Sequence, residues 1–216
     1  MGKLMNRDRM REAKRERERR AERILKAGRE AFVRFPYAEV TLDKVGQQAK
    51  VKQGQASLAY RSREELFLTV LRPLLEDWYG AVAEALRDDD RSFTTSELAE
   101  LVASTLNGRP DLTRLLGSLH TALELHDEGF EVQTFLQWQR DRLLEIGEAV
   151  NRRIPAVHPW EAFDALYRGQ LMAAAVHPVA NPVGNLAVDL MIEDHQVFAL
   201  DLEDEVRRVV LDSLGG

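Results

Sequence analysis

Residues Thr41 to Leu66 read TLDKVGQQAKVKQGQASLAYRSREEL, and the fold of the N-terminal part of the chain is predicted from them. This stretch predicts two short helices, Leu42 to about Ala49 and Gln53 to about Tyr60, separated by the tight turn Lys50-Val51-Lys52. Residues 44–63 contain five Lys or Arg and no acidic residue, although the chain has a formal net charge of -6. A basic window in an acidic protein indicates a polyanionic partner.

Capping signals mark where neighbouring helices begin and end. Thr41 is a good N-cap for the second helix, because its hydroxyl can accept a hydrogen bond from a free amide of the first turn. The first helix is expected to end near Phe35, because Pro36 forces the residue before it out of the helical region. Ser62 and Glu65, three residues apart, predict a capping box that opens the fourth helix.

The composition indicates an all-α protein with two cores. The chain has 216 residues, of which 44% are hydrophobic and 31% charged, and it contains only seven prolines. Alternating β-branched and aromatic runs, which would predict strands, are scarce. The absence of cysteine excludes disulfides, thiolate zinc sites and cysteine nucleophiles. We find no signal peptide and no apolar run near the roughly 20 residues of a membrane span, so a cytoplasmic protein is expected.

Charge divides the chain into a basic head and an acidic body. Residues 1–65 carry 18 Lys and Arg against 10 Asp and Glu, whereas the remainder carries 12 against 26. We therefore predict a charged N-terminal arm over 1–20, a basic head over 21–66 that suits a nucleic acid, and an acidic helical body over 67–216. The arm is either a solvated extension without function or a source of phosphate or minor-groove contacts.

The body is predicted to be helical throughout. Pro73 lies within the fourth helix and is expected to kink or divide it. After a predicted loop at 88–90, Ser96 is expected to cap the fifth helix, and Pro110 to open the sixth. The seventh and eighth helices carry apolar stripes that are expected to face inward and that include Phe135, Leu136, Leu143, Leu166 and Leu171. Gly169 is expected to permit close helix approach.

The head resembles the N-terminal DNA-binding domain of the TetR/AcrR family of transcriptional regulators. The resemblance covers residues 22–71 without gaps and rests on ILKAGREAF, VTLDKVGQQAKVKQGQ and RSREELFLTVL. It implies a three-helix helix-turn-helix domain followed by a larger helical ligand-binding and dimerisation domain. The ending HPVANP, a spacer and DLEDEVRRVVLDSL is similar to the C-terminal part of the same family. A homodimer on a palindromic double-stranded DNA operator is thereby implied.

The head departs from the family pattern mostly where DNA is read. Lys50 stands where the family usually has glycine, and a left-handed conformation there would cost about 1 kcal/mol. Lys52 replaces a serine, and Gln55-Ala56-Ser57 replaces Thr-Leu-Tyr. These changes predict an unusual operator. They also leave open the alternative of an interaction protein that keeps the fold but has degenerate DNA reading.

The resemblance places nine residues at the DNA: Thr41, Lys52, Gln53, Gln55, Ser57, Leu58, Tyr60, Arg61 and Arg63. Gln53 and Gln55 are expected to read bases, because a Gln amide can bond an adenine edge through two hydrogen bonds. Thr41 and Arg63 are expected near phosphates, where they would set the register.

A small apolar effector is implied for the body, with six polar or aromatic residues as candidate contacts: Trp78, His120, Phe135, Trp138, Tyr167 and Gln170. The function expected is that of a repressor released by this effector. His120 and His126 lack a third ligand, so no metal is expected. No cofactor is predicted either, and because no phosphate loop or nucleophile elbow occurs, we do not expect an enzyme.

Overall fold

The computed structural model describes residues 2–87, 93–126 and 129–215, with side chains from residue 10 onward. Every regular element within these residues is helical and none is a strand, so the all-α prediction is confirmed. The loop predicted at 88–90 lies outside the described residues. The chain forms two compact units, Met1–Val70 and Leu71–Gly216. The three-part division predicted from charge remains a proposal.

The first unit contains a long helix, α1 (Gly2–Arg34), a 3-10 turn (Tyr37–Glu39), α2 (Leu42–Gln48), α3 (Gln55–Ala59) and the start of α4 (Arg63–Ala85). The predicted Thr41 cap is present, since its Oγ1 accepts a hydrogen bond from the Lys44 amide at 3.3 Å. Helix α3 begins two residues later than predicted. Gly54 takes a left-handed conformation just before it and leaves Gln53 in the turn.

Aromatic rings form the centre of the first unit. The Phe67 ring lies 5.1 Å from that of Phe32 and 5.2 Å from that of Tyr37, edge to face in both cases. Gly28 of α1 lets α4 approach closely, because a Cβ atom at this position would lie 3.1 Å from Leu66 Cδ2. Leu66 is completely buried. The head is therefore held by packing between its longest helix and the start of α4.

The N-terminus of α4 differs in one detail from the predicted capping box. The Glu65 amide donates to Ser62 Oγ at 3.0 Å, as predicted. The Glu65 carboxylate accepts from the amide of Arg61 at 2.6 Å, one residue before the expected position. Two free amides at the start of the helix are satisfied in this way.

The second unit contains the rest of α4 and six further helices: α5 (Thr95–Asn107), α6 (Pro110–Glu124), α7 (Gly129–Arg153), α8 (Pro159–Ala180), α9 (Asn185–Asp189) and α10 (Leu202–Ser213), with a 3-10 turn at Glu193–Phe198. Helix α8 packs against α5, α6, α7 and α10, so it is the central element. Pro73 does not divide α4, which runs unbroken from Arg63 to Ala85. No helix of the described ranges is both long and apolar enough to cross a membrane.

Two glycines set the distances between helices of this unit. A Cβ atom at Gly147 of α7 would lie 2.3 Å from the Pro159 carbonyl oxygen. A Cβ atom at Gly169 of α8 would lie 3.2 Å from methyl groups of Val102 and Val210, which agrees with the close approach predicted there. Small residues at these positions let α8 sit deep between its neighbours.

Three sequence expectations for this unit are wrong. The N-cap of α5 is Thr94, which forms a capping box with Glu97, and not Ser96. Leu136 is 46% exposed and Leu171 is 39% exposed, although both were expected to face inward. Adjacent apolar residues on a helix differ by about 100° in direction, so they cannot all point to one core.

Candidate nucleic-acid interface

Helix α3, which corresponds to the recognition helix, consists of five residues and buries one of them, Ala56. Ala56 packs against α2 at Gly46, where an added Cβ atom would lie 3.4 Å from the Ala56 Cβ atom. A helix this short is not stable alone, so the contact with α2 holds it in place. The small side chains at both positions permit this contact.

The turn before α3 contains the only non-glycine residue with a positive φ in the described chain. Lys50 has a φ of 53° and the N-cap Gly54 a φ of 77°. Lys50 therefore takes the left-handed conformation, with its steric cost of about 1 kcal/mol. The strained residue, Lys50, lies in the turn beside α3.

The outer surface of α3 is freely exposed. Ser57, Leu58 and Ala59 are all exposed, and Leu58 keeps 81% of its surface. A serine hydroxyl can bond several base edges, and an aliphatic side chain can contact the thymine methyl group. The exposed residues of α3 are therefore of types that can contact base edges.

A basic pocket of about 320 Å³ adjoins α3 and is formed by α1 and the turn. Its lining residues are Glu16, Arg20, Arg23, Lys50, Val51, Lys52 and Gln55. Four of these side chains are cationic and one is acidic. The single acidic group, Glu16, lies 4.0 Å from Arg23 in an exposed ion pair. The pocket therefore has an excess of positive charge, which attracts phosphate groups.

One polar contact connects α1 with α3 in this pocket. An Nη1–H group of Arg20 donates a hydrogen bond to Oε1 of Gln55, and the contact is partly buried. Gln55 is the first residue of α3. Through this bond the long first helix fixes the position of a side chain that was predicted to read bases.

Arg20 and Arg23 of this surface were not predicted, and Lys50 was counted in the basic window of the head but not among the expected DNA contacts. A signal for the two arginines was present, because no proline or glycine separates the charged arm from the apolar part of α1. Positions 16, 20 and 23 share one face of a continuous helix. Which face would meet α3 could not be read from the sequence.

Arg63 lies in a second polar cluster, with Glu64 and Tyr37. Its Nε and Nη2 atoms donate to Glu64 Oε1 at 3.0 and 2.8 Å, and the Tyr37 hydroxyl donates to the same oxygen at 3.2 Å. Burial alone would raise the pKa of Glu64, but the hydrogen bonds and charge of Arg63 hold it below its ordinary value. Burial and the Glu64 charge raise the pKa of Tyr37.

The other predicted DNA contacts are distributed around α2 and α3. Lys52 and Gln53 are exposed in the turn, and both line a shallow cavity of about 370 Å³ between α2 and α3. Tyr60 is the half-buried C-cap of α3, and burial, followed by the charge of Glu65, raises its pKa. Arg61 is exposed just before α4. The head thus brings Lys52 and Gln55 together in the basic pocket.

In the second unit, three candidate effector contacts belong to one chain of aromatic rings. The Tyr79 ring lies 5.1 Å from that of Trp78 and 6.0 Å from that of Trp138, whose ring lies 5.4 Å from that of Phe135. Trp78, Tyr79 and Phe135 are buried. Trp138 is half-buried and also lines an open cavity of about 890 Å³ along α7. Tyr79, the central ring, was not predicted.

A buried amide pair adjoins these rings. Gln139 Nε2 donates to Gln170 Oε1 at 3.1 Å, and Gln170 Nε2 donates to the Tyr79 hydroxyl at 3.3 Å. Burial raises the pKa of Tyr79. Gln139 was missed, although it occupies an inward position of α7 between Phe135 and Leu143. A polar residue in an apolar stripe was the available signal.

The remaining candidates lie apart from this cluster. His120 is exposed, and its Nε2 atom is 3.4 Å from the Tyr167 hydroxyl. His177 is buried and its Nδ1 atom lies 2.8 Å from Thr113 Oγ1. Burial, followed by the charge of Arg114, lowers the pKa of His177. Within the described ranges no group of three His, Asp or Glu could hold a metal ion.

The larger part of the chain matches a known protein family. Residues 73–216, two-thirds of the sequence, match the family model for the tetracyclin repressor-like C-terminal domain. A crystal structure of an alanine-substituted HlyIIR mutant is similar at 16% sequence identity and a TM-score of 0.40, over 92% of this chain and 97% of that one. No curated protein matches the chain.

Proposed function

Because the chain belongs to the TetR family of transcriptional regulators, we propose that it binds a palindromic DNA operator as a homodimer and represses transcription until a small apolar effector releases it. It would act in the cytoplasm, because an operator-binding protein must share a compartment with its DNA. No membrane partner is needed for this role.

The observation that carries the proposal is the basic surface around α3. Arg20, Arg23, Lys50 and Lys52 surround a helix of which four out of five residues are not buried. Cations of this kind bind phosphates without regard to sequence, whereas the exposed helix reads base edges. The proposed DNA contacts remain those predicted: Thr41, Lys52, Gln53, Gln55, Ser57, Leu58, Tyr60, Arg61 and Arg63.

Arg63 has a further role within this proposal. Its Nε and Nη2 atoms are bound to Glu64, and Nη1 lies 3.4 Å from the Tyr37 carbonyl oxygen. Because three nitrogen atoms of this guanidinium already contact acceptors at the start of α4, its main role is to stabilise that helix end. It could donate to a phosphate only through its remaining N–H groups. Arg61, which is exposed just before α4, is proposed to contact phosphate at the same end of the head.

Homodimerisation is supported by an exposed apolar segment between α8 and α10. No residue of 181–200 is buried, and this stretch contains eight exposed large apolar residues: Val183, Leu186, Val188, Met191, Ile192, Val197, Phe198 and Leu200. Their exposed surface is on the order of 800 Å², which is what one partner contributes to a standard interface. We propose that a second copy covers it. Two heads would then fit half-sites about 34 Å apart.

The effector is proposed to act on the aromatic cluster of the second unit, with Trp78, Phe135, Trp138 and Gln170 as its contacts. His120 and Tyr167 form a separate pair that would extend the site. The effector would lower operator affinity by the difference between its affinities for the operator-bound and the released conformation of the protein. Apolar rings with a few buried amides suit an apolar molecule that carries one or two polar groups.

Selection of bound duplexes from random DNA at physiological salt tests the proposal. We expect a palindromic motif, and we expect the double variant Lys50→Glu, Lys52→Glu to bind no sequence. Arg140→Glu is the matched control, because this exposed arginine lies in the second unit. Binding that is sensitive to salt but selects no sequence would support the alternative, an interaction protein with degenerate DNA reading.

A further inference from the structure

The contact between Arg20 and Gln55 fixes which end of the Gln55 amide faces outward. Arg20 offers only hydrogen-bond donors, so the amide must present its oxygen to the guanidinium. The orientation of this side chain is therefore decided by chemistry, and the Nε2 amino group points away from Arg20. Gln55 opens α3 and is half-buried, so it has little freedom to turn.

The acidic residue that lines the same pocket as Arg20 is paired with a different arginine. Glu16, four residues before Arg20 on the same helix face, is paired with Arg23 at 4.0 Å. The remaining cations of the pocket, Lys50 and Lys52, would repel Arg20 and do not compete for it. Oε1 of Gln55 is a neutral acceptor that stabilises the guanidinium in a pocket with excess positive charge.

This orientation changes which base Gln55 can read. A glutamine reads adenine by donating to N7 and accepting from the N6 amino group, so both ends of the amide are required. Here Oε1 is bound to a cation. That oxygen keeps a second lone pair, but the adenine N6 amino group would have to donate to it beside the positive guanidinium, which disfavours the contact. The Nε2 group of Gln55 has only donors, and N7 and O6 on the major-groove edge of guanine are acceptors.

We propose that Arg20 is a specificity-determining positioning residue: by holding Oε1 of Gln55, it converts Gln55 from an adenine reader into a guanine reader. The inference rests on the proposed function, since it requires that α3 enters the major groove. It also gives the charged part of α1 a role in sequence reading that requires no contact between Arg20 and a base. Arg20 and Gln55 then act as one unit and not as two independent contacts.

Selection from random duplexes with the full-length protein tests this unit. The wild type is expected to prefer guanine at one position of each half-site. Arg20→Ala is expected to shift that position toward adenine by at least about five-fold, the lower limit of one good base contact. Arg20→Lys, which keeps a donor, is expected to retain guanine. Gln55→Ala is expected to remove the preference, and adding Arg20→Ala to it should change nothing further at that position.

The matched control is Arg23→Ala, which lines the same pocket from the same helix. It is expected to weaken binding to all sequences alike and to leave the motif unchanged. Thermal unfolding of each variant verifies that the head is folded. If wild type and Arg20→Ala select the same base with equal strength, the positioning role is refuted while DNA binding stands. If the wild type selects no motif, the proposed function itself fails, and this inference with it.

Discussion

The guanidinium carbon of Arg63 lies 4.5 Å from the centre of the Tyr37 ring. Both side chains also bond one oxygen of Glu64, so a cation, an aromatic ring and a carboxylate meet at the start of α4. Glu64 is 8% exposed. Charged groups at such a depth are stable only while each keeps its partner, and this makes the cluster sensitive to substitution.

Arg63→Lys is expected to destabilise the protein by about 1–2 kcal/mol, because an ammonium cannot reproduce the two hydrogen bonds to Glu64 or the stacking on Tyr37. Urea unfolding measures the change. Lys26→Ala is the control, since this exposed lysine of α1 should alter stability by less than about 0.5 kcal/mol. Equal effects of the two substitutions would contradict a structural role for the cluster.

Lys50→Gly is expected to stabilise the fold by about 0.5–1 kcal/mol, since glycine takes the left-handed conformation without a Cβ clash. The same substitution is expected to weaken DNA binding, because it removes one cation from the basic pocket. Lys52→Gly removes a cation from the same pocket without relieving a left-handed residue. It should weaken binding without the gain in stability, and a gain in thermal midpoint for both variants would argue against strain at Lys50.

The limits of sequence reasoning in this region have a physical origin. The apolar spacing, the cap at Thr41 and the helix stop at Pro36 were sufficient to predict the helices of the head, because they depend on local interactions. The start of α3 was not predictable to the residue, because a left-handed glycine can end a turn or lie within it. The contact of Arg20 with Gln55 depends on how two helices meet, which no local pattern encodes.

In the second unit, one error could have been avoided and two could not. Glu97 follows Thr94 by three residues, and this capping-box spacing favours Thr94 over Ser96 as the N-cap. Leu136 and Leu171 adjoin buried residues, Phe135 and Gln170, and periodicity alone does not decide which neighbour faces the core. The six effector candidates were chosen by residue type. Their positions in the folded chain separate the cluster around Tyr79 from the pair His120 and Tyr167.

Gly147→Ala and Gly80→Ala form a matched pair in the second unit. The new methyl group at Gly147 would meet the Pro159 carbonyl oxygen at 2.3 Å, so backbone must move, and we expect a loss of about 2 kcal/mol or more. Gly80 lies inside α4 with no atom within 4 Å of an added Cβ atom, and alanine there should stabilise by up to about 1 kcal/mol. Differential scanning calorimetry should give thermal midpoints that move in opposite directions; a shift of both in the same direction would refute this.

His177→Gln is expected to make the free energy of unfolding depend less on pH on the acid side of neutrality. Burial lowers the folded-state pKa of His177 below the ordinary value of 6.5, so above that value both states are neutral and stability is complete. As the pH falls below it, the unfolded chain binds a proton that the folded chain resists, and stability decreases until the lowered pKa is reached.

Thermal midpoints between pH 7.5 and pH 5.5 compare the two proteins. The wild type should lose more stability over this interval than His177→Gln, even though the variant starts lower through loss of the Thr113 contact. The charged group that faces His177 is Arg114 of α6, and its charge adds to the effect of burial on the pKa of His177. Parallel profiles would show that His177 does not titrate in this way.

Met191→Asp combined with Phe198→Asp is expected to dissociate the proposed dimer. Both residues lie in the exposed apolar segment between α8 and α10, with 81% and 66% of their surfaces exposed. A carboxylate in a buried interface is costly, so we expect the dissociation constant to rise by at least ten-fold. Sedimentation equilibrium measures it. Leu125→Asp, at an exposed leucine after α6, should leave the association unchanged, and an unaltered dimer in the double variant would locate the interface elsewhere.

Only one residue of α3 is buried in the core. Substitutions on the exposed part of this helix could therefore change the DNA sequence that is bound and have little effect on the stability of the head. Ala56 packs the helix against Gly46, whereas Ser57, Leu58 and Ala59 are exposed. Substitutions at these positions can accumulate without loss of stability, both over evolutionary time and in a designed library. Because Arg20 of α1 orients Gln55, a substitution in α1 can also change the base that Gln55 prefers while Gln55 itself is unchanged.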